Sequence, residues 1–136
     1  MVALAAPRNT LALLGDARYL PLGANAKVYA GGMVQVTAAA FGAAATATTA
    51  NVTLGRAETT VDNTGGADGA VSVKVRRGIF RYNNSASADL ITRASIGKPC
   101  YVVDDQTVAL TSNSNARPVA GTIFDVDAQG VWVEFK

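Results

Sequence analysis

The stretch GRAETTVDNTGGADGAVSVKVRRGIFRYNN, Gly55 to Asn84, holds two strand-like runs joined by the turn-rich connection Asp62-Asn-Thr-Gly-Gly-Ala-Asp-Gly69. In its second run Val71, Val73 and Val75 alternate with Ser72, Lys74 and Arg76, the period-2 pattern of a half-buried strand. After Arg77-Gly78 the large apolar residues fall on Phe80 and Tyr82, so the parity flips from odd to even positions. A one-residue shift with glycine at the switch is the signature of a bulge or bend, and predicts a strand that turns a corner or crosses between two sheets. The segment has no histidine or cysteine, and its acidic residues are Glu58, Asp62 and Asp68.

The pattern continues on both sides. Ala26–Ala30 and Met33–Thr37 flank Gly31-Gly32, which predicts a two-residue hairpin. The Ala/Thr-rich tract Ala38–Ala50 contains Gly42 and has no amphipathic face, which favours an irregular loop or a flat edge strand over a helix. Asn51–Glu58 reads as a strand. Cys100–Val103 and Thr107–Leu110 flank Asp104-Asp105-Gln106 as a hairpin, and Val119–Val126 and Val131–Lys136 flank Asp127–Gly130 as another. In the last strand Val131, Val133 and Phe135 face inward, leaving Trp132, Glu134 and Lys136 outward. An outward Trp132 either covers a second layer or anchors an interface. Ser87–Ile96 has the signals of one short helix, with Ser87 as N-cap and Gly97 just past its end. The expected fold is therefore all-β, a small β-sandwich or barrel-like domain of about seven to nine short strands with at most one short helix.

The domain spans 20–136, preceded by an extended N-terminal arm, 1–19. Pro7 and Gly15 interrupt any continuous helix in the arm. Burying the six large apolar residues of positions 1–20, Val2, Leu4, Leu11, Leu13, Leu14 and Leu20, is worth at most about 9–18 kcal/mol. Fixing the backbone of this stretch costs about 20–40 kcal/mol. The arm therefore needs a surface or a strand edge to order it.

Composition narrows the function. Charged residues make up 16% of the 136, below the usual level of about 25%, a weak sign that part of the surface is covered in an assembly. Twelve basic residues against ten acidic ones give +2, no electrostatic footprint for nucleic acid or membrane. Arg76, Arg77 and Arg81 form the only basic cluster, suited to a solvated strand face or an intersubunit surface rather than to phosphate. A single cysteine, Cys100, allows no internal disulfide, and the absence of histidine removes both the usual base for a nucleophile and any Cys/His metal site. Asp125 and Asp127 flank a turn where Ca²⁺ is conceivable, but the oxygen-ligand spacing of known calcium loops is missing. No nucleophile elbow or phosphate loop is present, so no enzyme and no cofactor are expected. The first twenty residues superficially look like a signal peptide. They have no basic n-region and are split at Pro7-Arg8-Asn9-Thr10, which reads as a retained segment. No run of about 18 apolar residues is found to span a membrane.

Three blocks carry a resemblance: Gly55–Ser85; IGKPCYVVDDQTVALT, Ile96–Thr111; and RPVAGTIFDVDAQGVWVEF, Arg117–Phe135. In this order and spacing they resemble the small cement (decoration) proteins of tailed-phage capsids, including those of Mu-like phages, over about Leu20–Lys136. The resemblance implies a structural virion protein on the outer face of the capsid. It would be a homotrimer, or alternatively a dimer, that clamps adjacent major capsid protein subunits against the pressure of packaged DNA. It transfers no catalytic residues. The expected capsid or neighbour contacts are Val2, Leu4, Leu11, Leu13 and Leu14 of the arm, and the expected subunit contacts are Arg76, Arg77, Arg81 and Trp132. The rival class is a tail-fibre or spike-associated β-domain that binds host carbohydrate, for which an exposed aromatic pair in a groove would be the mark.

Overall fold

The computed structural model describes residues 2–136, and within them the chain is all-β. Its first six strands are β1 (Ala17–Pro21), β2 (Lys27–Val28), β3 (Met33–Val36), β4 (Gly42–Ala44), β5 (Val52–Ala57) and β6 (Val61–Asp62). Then follow β7 (Ser72–Arg76), β8 (Gly78–Tyr82), β9 (Pro99–Val102), β10 (Val108–Ala109), β11 (Val119–Asp127) and β12 (Gly130–Phe135). One five-stranded antiparallel sheet runs β1-β7-β5-β3-β4, a second runs β10-β9-β11-β12-β8, and β2 and β6 form a small ribbon.

The parity flip at Arg77-Gly78 marks the passage between the two large sheets. Strand β7 belongs to the first and β8 to the second, with a single residue between them. Gly78 adopts φ 149°, a conformation that a side chain disfavours, and that turns the strand. Upstream of the bend Val73 and Val75 are buried, and downstream Tyr82 is. Val71 lies before β7 and is partly exposed.

Each large sheet curls until its outer strands meet. A bridge joins Leu22, just after β1, to Gly42 in β4, and another joins Asn83, just after β8, to Thr107 beside β10. Bulges supply the curvature. Leu54 is an extra residue of β5 opposite Val34 and Gln35, and Ala120 and Phe124 are extra residues of β11. Each sheet wraps its own apolar cluster. The first holds Leu22, Val28, Val34, Ala57, Val73 and Val75. The second is larger and is built from Tyr82, Ile91, Cys100, Val102, Val108, Ile123, Val131, Val133 and Phe135, joined by Met33 of β3 and by Ala45 just after β4. The valine-rich sequence thus fills two thin cores, with Met33 and Ala45 coupling them.

The hairpins at Asp104–Gln106 and Asp127–Gly130 form as the sequence implies, pairing β9 with β10 and β11 with β12. The Gly31-Gly32 hairpin does not. Strand β2 pairs with β6, and β3 pairs with β4 and β5. The diglycine instead docks on the end of β5: Gly31 N–H donates to the Ala57 carbonyl and Ala57 N–H to the Gly32 carbonyl, both at 2.9 Å. The helix expected over Ser87–Ile96 is also replaced, by two separate 3-10 turns, Ser87–Asp89 and Arg93–Ser95. Asn84 explains this. Its side chain accepts from Ile91 N–H at 2.9 Å and donates to the Ile91 carbonyl at 2.8 Å, diverting the bonds a helix would need.

Much of the Ala/Thr tract is organised by one residue. Gln35 is wholly buried. Its Oε1 accepts from Thr46 N–H (2.9 Å) and Asn51 Nδ2 (3.1 Å). Its Nε2 donates to the Thr46 carbonyl (3.1 Å) and Thr53 Oγ1 (3.2 Å). The tract itself provides β4, an edge strand of the first sheet.

Candidate functional site

The segment ahead of β1 carries the largest concentration of exposed apolar side chains. Val2, Leu4, Leu11, Leu13 and Leu14 are 73–97% exposed. Residues 2–15 contain no strand or helix. The strand order begins inside the stretch read as arm: Ala17, Arg18 and Tyr19 pair with Arg76, Val75 and Lys74 of β7, so β1 starts at Ala17. The last main-chain hydrogen bond before it is Arg77 N–H donating to the Asp16 carbonyl at 2.9 Å. The part of the arm that finds a sheet edge is therefore ordered on it, and the apolar residues upstream stand clear of the domain.

The bend separates the three arginines of the basic cluster. Arg76, on β7, lies directly opposite Arg56 on β5. Glu58 relieves the like-charge pairing, its carboxylate meeting Arg56 Nη2 at 3.0 Å and Arg76 Nε at 3.9 Å. The Arg56 guanidinium in turn lies over Phe80 at 3.9 Å from the ring centre, spanning the two sheets. Arg77 sits at the corner. Arg81, on β8, pairs in register with Trp132 on β12 and lies over its indole at 5.5 Å. Asp127 holds both, accepting from Trp132 Nε1 at 2.9 Å and facing Arg81 Nη1 at 3.8 Å. The indole N–H, with the Gln129 amide, holds the Asp127 carboxyl below its ordinary range. Trp132 is half-buried and faces outward, as its strand position predicts.

These residues make an outer surface of stacked cations and aromatic rings. Arg56 is the member that strand patterning alone misses. Its signal is weak, an outward position on β5, and its role depends on a register with β7 that only the fold sets.

Several carboxylates are committed to turns. Asp127 Oδ1 accepts from the Gln129 and Gly130 amides, and Asp125 Oδ1 from its neighbour Val126. In the Asp62–Gly69 connection, Asp62 accepts from Thr64 and Asp68 from Ala24, while Asn63 donates to the Gly23 and Ala67 carbonyls. Among the described residues no group of three or more His, Cys, Asp or Glu could hold a metal ion. Cys100 is buried in the second core, and burial pushes its thiol up to about 11. Among the same residues no helix is long and apolar enough to cross a membrane. No protein-family model, curated protein or solved structure matches the chain.

Proposed function

We propose that this chain is a cement protein of a tailed-phage virion, binding the outer face of the capsid and clamping adjacent major capsid protein subunits. The observation that carries the reading is the row of exposed apolar residues from Val2 to Leu14 ahead of a closed β-domain. Within the chain these residues have no cover, and a neighbour's sheet edge or apolar surface gives them one. Arg76, exposed on β7, and Arg77 at the corner supply a second contact, toward a sister subunit in a homotrimer or dimer. A symmetric oligomer gripping several capsid subunits gains avidity from contacts that are individually weak. The three sequence blocks that resemble capsid cement proteins support the same conclusion. Catalysis has no part in this reading.

The test is to mix purified protein with expanded and unexpanded shells of a tailed phage that carries this sequence. Stoichiometric decoration of expanded shells is expected. Deleting residues 1–15 should leave a folded β-domain with weakened shell binding. Failure of the full chain to bind either shell refutes the function; unchanged affinity after the deletion refutes the role of the arm.

A further inference from the structure

A groove passes over Arg81, from Trp132 at one end to Tyr29 at the other. It consists of two adjoining hollows of about 510 and 480 Å³ that share Gly31, Arg81 and Tyr82. Each falls within the size range of small-molecule sites, about 300–1,000 Å³. We propose that this groove binds a neutral oligosaccharide, a function that goes beyond the capsid-clamping role and does not depend on it.

The floor is fixed. The Tyr82 hydroxyl donates to the Gly31 carbonyl at 2.8 Å, tying β8 to the diglycine turn. Two aromatic rings stand at its ends. Trp132 is held by Asp127 and Arg81, while Tyr29 is 56% exposed and has Lys27 Nζ at 5.0 Å from its ring centre. Between them stand Asn83, Asp105 and Gln106, whose side chains make no hydrogen bond among the described residues. They supply an amide, a carboxylate and a second amide facing open space. Sugars present apolar C–H faces to aromatic rings and hydroxyls to groups of this kind, which can donate and accept in turn.

Charge decides the class of ligand. Arg81 has Asp127 beside it and shares its hollow with Asp105, and Arg56 is bound to Glu58. The groove is therefore close to neutral, with a carboxylate in its wall, which disfavours phosphate, sulfate and acidic peptide and favours an uncharged polyhydroxylated chain.

Trp132 is the single tryptophan of the chain, so its fluorescence reports on the groove directly. A printed glycan array of neutral hexose and N-acetylhexosamine oligomers comes first. Titration of the intact protein with the best array ligand, with maltohexaose and chitohexaose, and with hexaglutamate as the acidic-peptide arm follows. Saturable emission changes with at least one neutral sugar are expected, at a Kd of about 0.1–1 mM. Tyr29→Ala and Gln106→Ala should each weaken that binding about 3- to 10-fold while leaving the thermal midpoint unchanged. Absence of binding on the array and in every titration overturns the proposal. So does sugar binding that both variants leave intact, or binding of hexaglutamate alone.

Discussion

Replacing Gln35 by leucine tests how a nearly featureless tract is held in place. Gln35 is wholly buried and makes four side-chain hydrogen bonds, to Thr46 N–H, the Thr46 carbonyl, Asn51 Nδ2 and Thr53 Oγ1. Each is worth about 0.5–1.5 kcal/mol, and an unmet buried partner costs more. Thr46 is exposed, so water can replace part of what is lost, and leucine fills the space with apolar atoms. The net loss is then about 2–4 kcal/mol, a large share of the roughly 5–15 kcal/mol that stabilises an ordinary domain. For a chain of this length that lowers the thermal midpoint by about 8–15 °C. Urea unfolding of Gln35→Leu should show a reduced midpoint with an unchanged slope, and the Thr46 amide should exchange faster with deuterium. A loss below about 1 kcal/mol with Thr46 still protected would refute the reasoning.

Other expectations are equally direct. Gly130 adopts φ 155°, and a Cβ there would collide with the Tyr82 carbonyl, so Gly130→Ala should cost more than about 3 kcal/mol; a midpoint within a few degrees of the parent contradicts this. Asp62, Asp89 and Asp127 are held below their ordinary carboxyl value of 3.8, led by bonds from the Thr64 hydroxyl, the Thr111 hydroxyl and the Trp132 N–H respectively. Their folded values lie below the unfolded ones, so the stability they contribute is present above about pH 4 and fades as pH falls through the lowered values. Thermal midpoints should hold from about pH 7 to 5 and drop below about 4, and a rise on acidification would count against the assignment. Cys100, buried with its thiol raised to about 11, should react with a thiol reagent at about pH 8 only as fast as the domain opens; labelling at the rate of a free thiol would show the second core to be open.

The strands that pair with their sequence neighbours were legible, because alternation and turn chemistry are local. Val131, Val133 and Phe135 against Trp132 and Glu134 could be assigned from six residues, and the parity flip at Arg77-Gly78 announced the change of sheet. Pairings across long separations were not legible. Nothing near Gly31-Gly32 reveals that β2 will prefer β6 and that Ala57 will take the diglycine's hydrogen bonds. Ser87–Ile96 has respectable helix signals, and a single asparagine upstream overrides them. The surface follows the same division. Arg81 and Trp132 are outward residues on strands that pair, but Arg56 joins them from the first sheet and Tyr29 from the turn after β2, and their approach to β8 depends on the fold closing.

The connection between the exposed segment and β1 also determines how the domain bears load. A pull applied through residues 2–15 enters the fold at Ala17, the first residue of a strand zipped to β7 through five register positions. Tension along that strand strains the whole ladder in shear rather than peeling it apart one bond at a time. It then passes through β7 and the single-residue corner at Arg77 into β8 and the larger core. A tether joined in this way makes the first sheet a mechanical anchor whose strength is set by the β1–β7 ladder, where shortening the ladder weakens the grip without changing what the tether touches.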